Sequence, residues 1–227
     1  SNFLFFLIFN KKFTLKFRFN FDKKFFIQIF SIGFPLFLNS LVAMTYIQID
    51  KWAALIFMGK DTLGFYSTPL LFANFMLILP NSLSEVFFPR IIKSFQKGKE
   101  ELITYVKKLS LYLVGLNILV SLFVSIIIPY VVNWFLPEYV NTILAAQIIV
   151  FSSIPVMINS IIYYSLIALN KHNTIFIINT ISLFISMAFV FTLTYIFQSL
   201  VILAISALIS RIIQVVIMFI YLKKCLN

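Results

Sequence analysis

Six runs of mostly apolar residues, at about 30–58, 63–89, 109–135, 142–169, 174–197 and 200–222, fix the solvent in which this chain folds. A helix rises about 1.5 Å per residue, so roughly twenty residues cross the ~30 Å hydrocarbon layer of a bilayer. Every run is long enough. The first is longer than needed, which predicts a tilt, a bend near Pro35 or a projection out of the membrane. The polar segments between the runs reach about twenty residues at most, too few for a separate catalytic domain. Composition agrees: 62% of residues are hydrophobic and 11% charged, and mean hydropathy is +1.04. A soluble domain is about half apolar and a quarter charged, so this chain lacks the polar surface to coat a water-soluble globule. The expected fold class is an all-α integral membrane bundle of six transmembrane helices.

The net charge of +11 is informative by position. Six Lys and Arg residues lie in 11–24 and six more in 90–108. With six alternating spans, segments 10–26, 90–108 and 170–173 and the C-terminus fall on one side, and they hold 15 of the 18 basic residues. The positive-inside rule makes that side cytoplasmic, which predicts a multi-pass protein of the cytoplasmic (inner) membrane with its C-terminus inside. Trp52, Tyr66, Tyr130, Trp134, Tyr139 and Tyr195 fall towards the opposite ends, as an interfacial aromatic belt would. A nucleic-acid partner would need an exposed basic face, and bases gathered at membrane boundaries do not supply one. A single Cys225 excludes a disulfide framework, and a single His172 argues against a metal cluster. The 29 Phe read as compositional bias, so no cofactor is expected. Segment 10–26 alternates basic and aromatic residues, the pattern of a juxtamembrane stretch lying on anionic membrane lipids. Residues 1–9 are apolar but too short to span, and are expected to be the tail of a preceding transmembrane helix in a longer chain.

Polar residues recur inside the runs at helical spacing, which gives each span one polar face. In order, the faces carry Asn39, Tyr46 and Asp50; Ser67, Asn74, Asn81 and Glu85; Ser110, Asn117 and Ser121; Ser152, Asn159 and Tyr163; Asn179, Ser182 and Ser186; and Arg211 with Gln214. Small and polar residues also serve as helix–helix glue, so the amides carry both readings. Charges are more telling, because a charge in lipid is costly and marks a functional or paired position. Arg211 sits at the centre of the sixth run, where it costs roughly 2.5–3.5 kcal/mol to insert; it requires a wet cavity or an acidic partner. Asp50 and Lys51 are adjacent and point about 100° apart, towards the outer end of the first run. Glu85 lies near the inner end of the second, within reach of Arg90 or Lys93. The candidate cavity or substrate-binding residues are therefore Arg211, Lys51, Asp50, Glu85, Asn39, Asn81, Asn159 and Gln214. None is a candidate for catalysis.

The succession G-F-P at Gly33–Pro35, I-D-K at Ile49–Lys51, L-G-F-Y-S at Leu63–Ser67, L-P-N-S-L-S at Leu79–Ser84, F-P-R at Phe88–Arg90 and P-E-Y at Pro137–Tyr139 resembles lipid-linked oligosaccharide flippases. These belong to the multidrug/oligosaccharidyl-lipid/polysaccharide exporter superfamily. The resemblance runs from about Gly33 to Lys224 and corresponds to the C-terminal six-helix half of a twelve-helix, MATE-like transporter. It implies two pseudo-symmetric bundles around a central cavity, alternating access, and a polyprenyl-diphosphate-linked glycan as substrate. It further implies that Asp50–Lys51 matches the acidic–basic pair of the seventh helix, with Arg211 and Lys51 holding the anionic diphosphate. The implied partners are the lipid-linked glycan and the missing six-helix half, in the same chain or a second copy. The chain departs from the resemblance at Phe197–Leu200, where relatives often carry a Gly-rich entry to the last-but-one helix pair. Two further readings are a cation-coupled multidrug exporter of the same superfamily and a membrane-embedded glycosyltransferase or polymerase. The latter would need a sizeable outer loop, and the outer turns here are minimal.

Overall fold

The structure is a computed structural model that describes residues 23–169 and 171–226. The expected preceding tail at 1–9 and most of segment 10–26 lie outside the described residues; residues 23–26 open the first helix. The elements are α1 (Lys23–Ile47), α2 (Ile49–Phe57), α3 (Gly59–Lys97), α4 (Lys99–Phe135), a 3₁₀ turn (Pro137–Thr142), α5 (Ile143–Val150), α6 (Ser153–Ala168), α7 (His172–Phe197) and α8 (Leu200–Leu226). Among the described residues there is no strand. Residues up to Pro35 group as one unit and those from Leu36 onward as another. In the first unit, Phe26, Phe30 and Phe34 stack at i, i+4 spacing, with ring centroids 6.3 and 5.2 Å apart.

Five helical segments of the second unit are long and apolar enough to cross a membrane: Gly59–Lys97, Lys99–Phe135, Pro137–Ala168, His172–Phe197 and Leu200–Cys225. Phe37–Ile47 is a shorter apolar helix before them. This is an all-helical, multi-pass membrane protein. Where the first long span was expected, the helix runs through Pro35 and breaks at Gln48 instead. The Gln48 amide bonds to the Thr45 carbonyl three residues back, at 3.0 Å, and α2 restarts at Ile49. The fourth span is also in two pieces. Pro155 has no N–H to offer the Phe151 carbonyl, so that carbonyl accepts from Ile154 at 3.1 Å instead. The amides of Phe151 and Ser152 likewise bond three residues back, at 3.2 and 2.9 Å, and the chain kinks there.

The basic segment 90–108, expected as a loop, is helical on both sides of one residue. Gly98 adopts φ 134, ψ 163, a backbone shape closed to side chains, and reverses the chain. With 39 and 37 residues, α3 and α4 extend about 58 and 55 Å. Both therefore project well beyond a ~30 Å hydrocarbon core, carrying Arg90, Lys93, Lys97, Lys99, Lys107 and Lys108 on exposed surface.

The helices are held at close range by small residues. Ala53 and Ala54 of α2, Ala145 of α5 and Ala204 of α8 are buried in one cluster with Ile149, Val190 and Leu203. Between membrane helices there is no hydrophobic drive to gain, so the close backbone approach that Ala allows is what favours association. A second cluster joins Phe72 and Met76 of α3 to Ile128, Val132, Ala146 and Val150. The opposite face of α4 is apolar and open, through Leu119, Phe123 and Ile126, and ends in exposed Tyr130 and Trp134. Those two, with Trp52 and Tyr195, are exposed as an interfacial belt requires. Tyr66, expected in that belt, is instead wholly buried inside the bundle.

Candidate functional site

The polar faces of the spans do not all point the same way. Those of α1–α2, α4, α5–α6, α7 and α8 turn towards one another and build buried polar sites. The first is a pocket of about 10 Å³ lined by Tyr46, Asp50, Ser186, Ser210 and Arg211, among others. Asp50 is 3% exposed and Arg211 8%, although both carry charge. Asp50 sits in the first turn of α2, because the break at Gln48 restarts the helix just before it. Its Oδ1 accepts from the Lys51 amide at 3.0 Å, a position that also favours a carboxylate through the helix dipole. Its Oδ2 accepts from the Tyr66 hydroxyl at 3.1 Å. Arg211 donates from Nη1 to Ser152 Oγ, a hydroxyl presented by the kink between α5 and α6.

A second site lies further along α8. Asn179 donates from Nδ2 to Asn39 Oδ1 at 2.9 Å and accepts at its own Oδ1 from Gln214 Nε2 at 3.2 Å. This amide chain ties α1, α7 and α8 together. Replacing Asn179 with Leu severs both bonds; a loss of about 1–3 kcal/mol is expected, because the half-buried amide of Asn39 and the buried amide of Gln214 lose their partner. Thermal unfolding of the purified protein checks it. The third site is the α5–α6 kink, where Asn117 donates to the Ser153 carbonyl at 3.2 Å and accepts from Ser153 Oγ at 2.9 Å. Ser121 adds a bond to Asn117 Oδ1 at 3.3 Å.

The face of α3 behaves differently. Ser67, Asn74, Asn81 and Glu85 are all exposed, at spacings of 7, 7 and 4 that keep them in one line. The structure thus separates the candidate residues. Asp50 and Arg211 share a pocket, and Asn39 and Gln214 meet through Asn179. Asn81 and Glu85 lie on the open face. Lys51 and Asn159 are half-buried, and Asn159 Oδ1 has no hydrogen-bond partner. Arg90 places its guanidinium over the Phe87 ring, 5.6 Å from the centroid. Two contributors went unread in the sequence. Ser153 lies outside the helical spacing of its span's polar face. Tyr66 had a usable signal: it follows Gly59 by seven residues while Asp50 precedes it by nine, which sets the two side by side in a helical hairpin.

Residues 1–113 match the sequence profile of a family described as "Polysaccharide biosynthesis protein". The whole bundle is similar to the outward-facing structure of a multidrug resistance MATE family transporter of the MOP superfamily, with a TM-score of 0.73 over 99% of this chain. The chain shares the fold of that transporter. The sequence identity to the solved transporter is 13%, so the likeness there is one of fold. The chain spans 52% of that transporter's length. A search of curated proteins finds no match.

Proposed function

We propose that the chain is one half of a flippase that carries a polyprenyl-diphosphate-linked oligosaccharide across the cytoplasmic membrane for surface polysaccharide assembly. The observation that carries this reading is the outward polar stripe of α3. Amides and a carboxylate on a membrane-length helix are unfavourable against lipid, and such positions belong to a protein interior or a watered passage. A second six-helix half, from the same chain or another copy, would cover the stripe and make it one wall of that passage. Ser67, Asn74 and Asn81 offer neutral donors and acceptors suited to sugar hydroxyls, and Lys51 supplies positive charge for the diphosphate. The family match to polysaccharide biosynthesis supports a glycan cargo. Translocation makes and breaks no covalent bond, so no residue is assigned a catalytic role. The distribution of basic residues supports a cytoplasmic Gly98 turn and C-terminus.

Replacing Asn74 and Asn81 together with Leu keeps the helix intact and makes the stripe apolar. At about 0.5–1.5 kcal/mol per lost hydrogen bond, the pair should lower glycan export by about tenfold or more. The measurement is surface polysaccharide, with lipid-linked precursor inside, in cells carrying wild-type amounts of the variant. Unchanged surface glycan would sink the reading. Unchanged glycan with new drug sensitivity would make the chain part of a multidrug exporter.

A further inference from the structure

Asp50 and Arg211 are the two charged residues that are buried among the described residues. They have opposite sign, come from α2 and α8, and line the same pocket. Neither bonds the other. Asp50 is held by Tyr66 and the Lys51 amide, and Arg211 by Ser152. Two hydroxyls of the pocket wall, Tyr46 Oη and Ser186 Oγ, are buried beside one another with no hydrogen bond of normal geometry to any partner. The guanidinium has five N–H donors, of which one is used, and a carboxylate about four acceptor sites, of which two are used, so capacity on both groups is also open. A dry void in such surroundings would leave the two hydroxyls without a partner and the two charged groups only partly satisfied. The pocket's volume of about 10 Å³ is roughly the room one water requires, and a buried water makes two to four hydrogen bonds.

We propose that this pocket is a hydration site for one internal water that bridges Asp50 to Arg211, and that Arg211 serves as the counter-charge of Asp50 rather than as a contact to the transported substrate. The water accepts from the Arg211 guanidinium and donates to the Asp50 carboxylate, and the Tyr46 and Ser186 hydroxyls complete its shell. The site is neutral overall, which is how one cation and one anion coexist in the interior of a membrane bundle. It also fastens α2, the piece beyond the break at Gln48, to α8. The pairing is read by melting temperature whatever is transported; the export arm of its test rests on the proposed function.

The test is a double-mutant cycle on the intact, purified protein: Asp50→Asn, Arg211→Gln, and both together. Each single change leaves one buried charge without its counter-charge, so each should lower the melting temperature and reduce export by about tenfold or more. The double variant should regain most of both. Additive losses in the double variant would overturn the pairing. A double variant that recovers its melting temperature but stays inactive would return Arg211 to the substrate. The water has its own readout that needs no charge variant. Radiolysis of a bound water oxidises its neighbours, so Tyr46 should be labelled in the wild type and lose that label in Ser186→Leu, whose side chain fills the pocket. Equal labelling in both would overturn the hydration site.

Discussion

Tyr66→Ala is expected to lose about 3–5 kcal/mol of stability, the range for deleting a large buried aromatic ring. Two separate losses combine. The ring is wholly buried in the cluster that joins α2, α3, α5, α7 and α8, beside Ala53, Ala54, Ala73 and Ile149. Five of the nine other buried members of that cluster are alanines, whose side chains are too short to close over the gap. The hydroxyl, in addition, donates to Asp50 Oδ2 at 3.1 Å, and a hydrogen bond to a charged group contributes about 1.5–3 kcal/mol. Tyr66→Phe isolates the second term, since it keeps the ring and removes the donor. Differential scanning fluorimetry of both variants in the same detergent should therefore give two steps, with Phe in the lower range and Ala well beyond it. Equal losses would mean that the hydroxyl alone matters and that the bundle closes over the missing ring.

The same residue marks the limit of what the sequence makes legible. The apolar runs predict the membrane and most of the helices, because hydrocarbon thickness imposes a length that little else imposes. Helical spacing also identifies the polar faces that meet in the buried sites, down to Asn39, Asp50, Asn117, Asn179, Arg211 and Gln214. It does not say which way a face turns. A line of Asn and Ser against a neighbouring helix has the same period as one along an open passage, so the outward stripe of α3 looks like the inward faces of the other spans. Arg211 is conspicuous in sequence because a charge at mid-membrane is conspicuous anywhere. Its pairing across 161 positions with Asp50 depends on how α2 and α8 pack. Tyr66 reads as an interfacial aromatic by position, and only the burial of that side of α3 makes it a core residue.

Breaks in the helices follow the same logic. The kink at Phe151–Ser152 has a local cause in Pro155, so it was open to reading. The break at Gln48 has neither Gly nor Pro beside it. Gly98, by contrast, is a local device: the charge of 90–108 predicts a loop, whereas Lys, Glu and Leu are good helix formers and one glycine is enough to turn the chain.

Asn117→Leu is expected to lose about 1–3 kcal/mol, and to do so through the kink rather than through packing. Leu keeps the branching and heavy-atom count of Asn117 and is somewhat larger, so no space opens where the side chain stood. What disappears is a side-chain donor to a carbonyl: Asn117 Nδ2 bonds the Ser153 carbonyl at 3.2 Å, on the first residue of α6, in addition to the helix's own bond. In hydrocarbon surroundings no water replaces that donor. The Ser153 hydroxyl keeps an alternative acceptor in the Val150 carbonyl at 2.9 Å, so its loss is the smaller part. The neighbouring Ser152 holds Arg211, which makes the kink the support of the buried charge as well. A variant at Asn117 should consequently disturb Arg211 without touching it. Combined with Arg211→Gln, Asn117→Leu should cost less than the sum of the two single losses, because the kink then has no guanidinium to support. Melting temperatures of the two single variants and the double variant decide it, and strict additivity would detach the kink from the charge it is argued to hold.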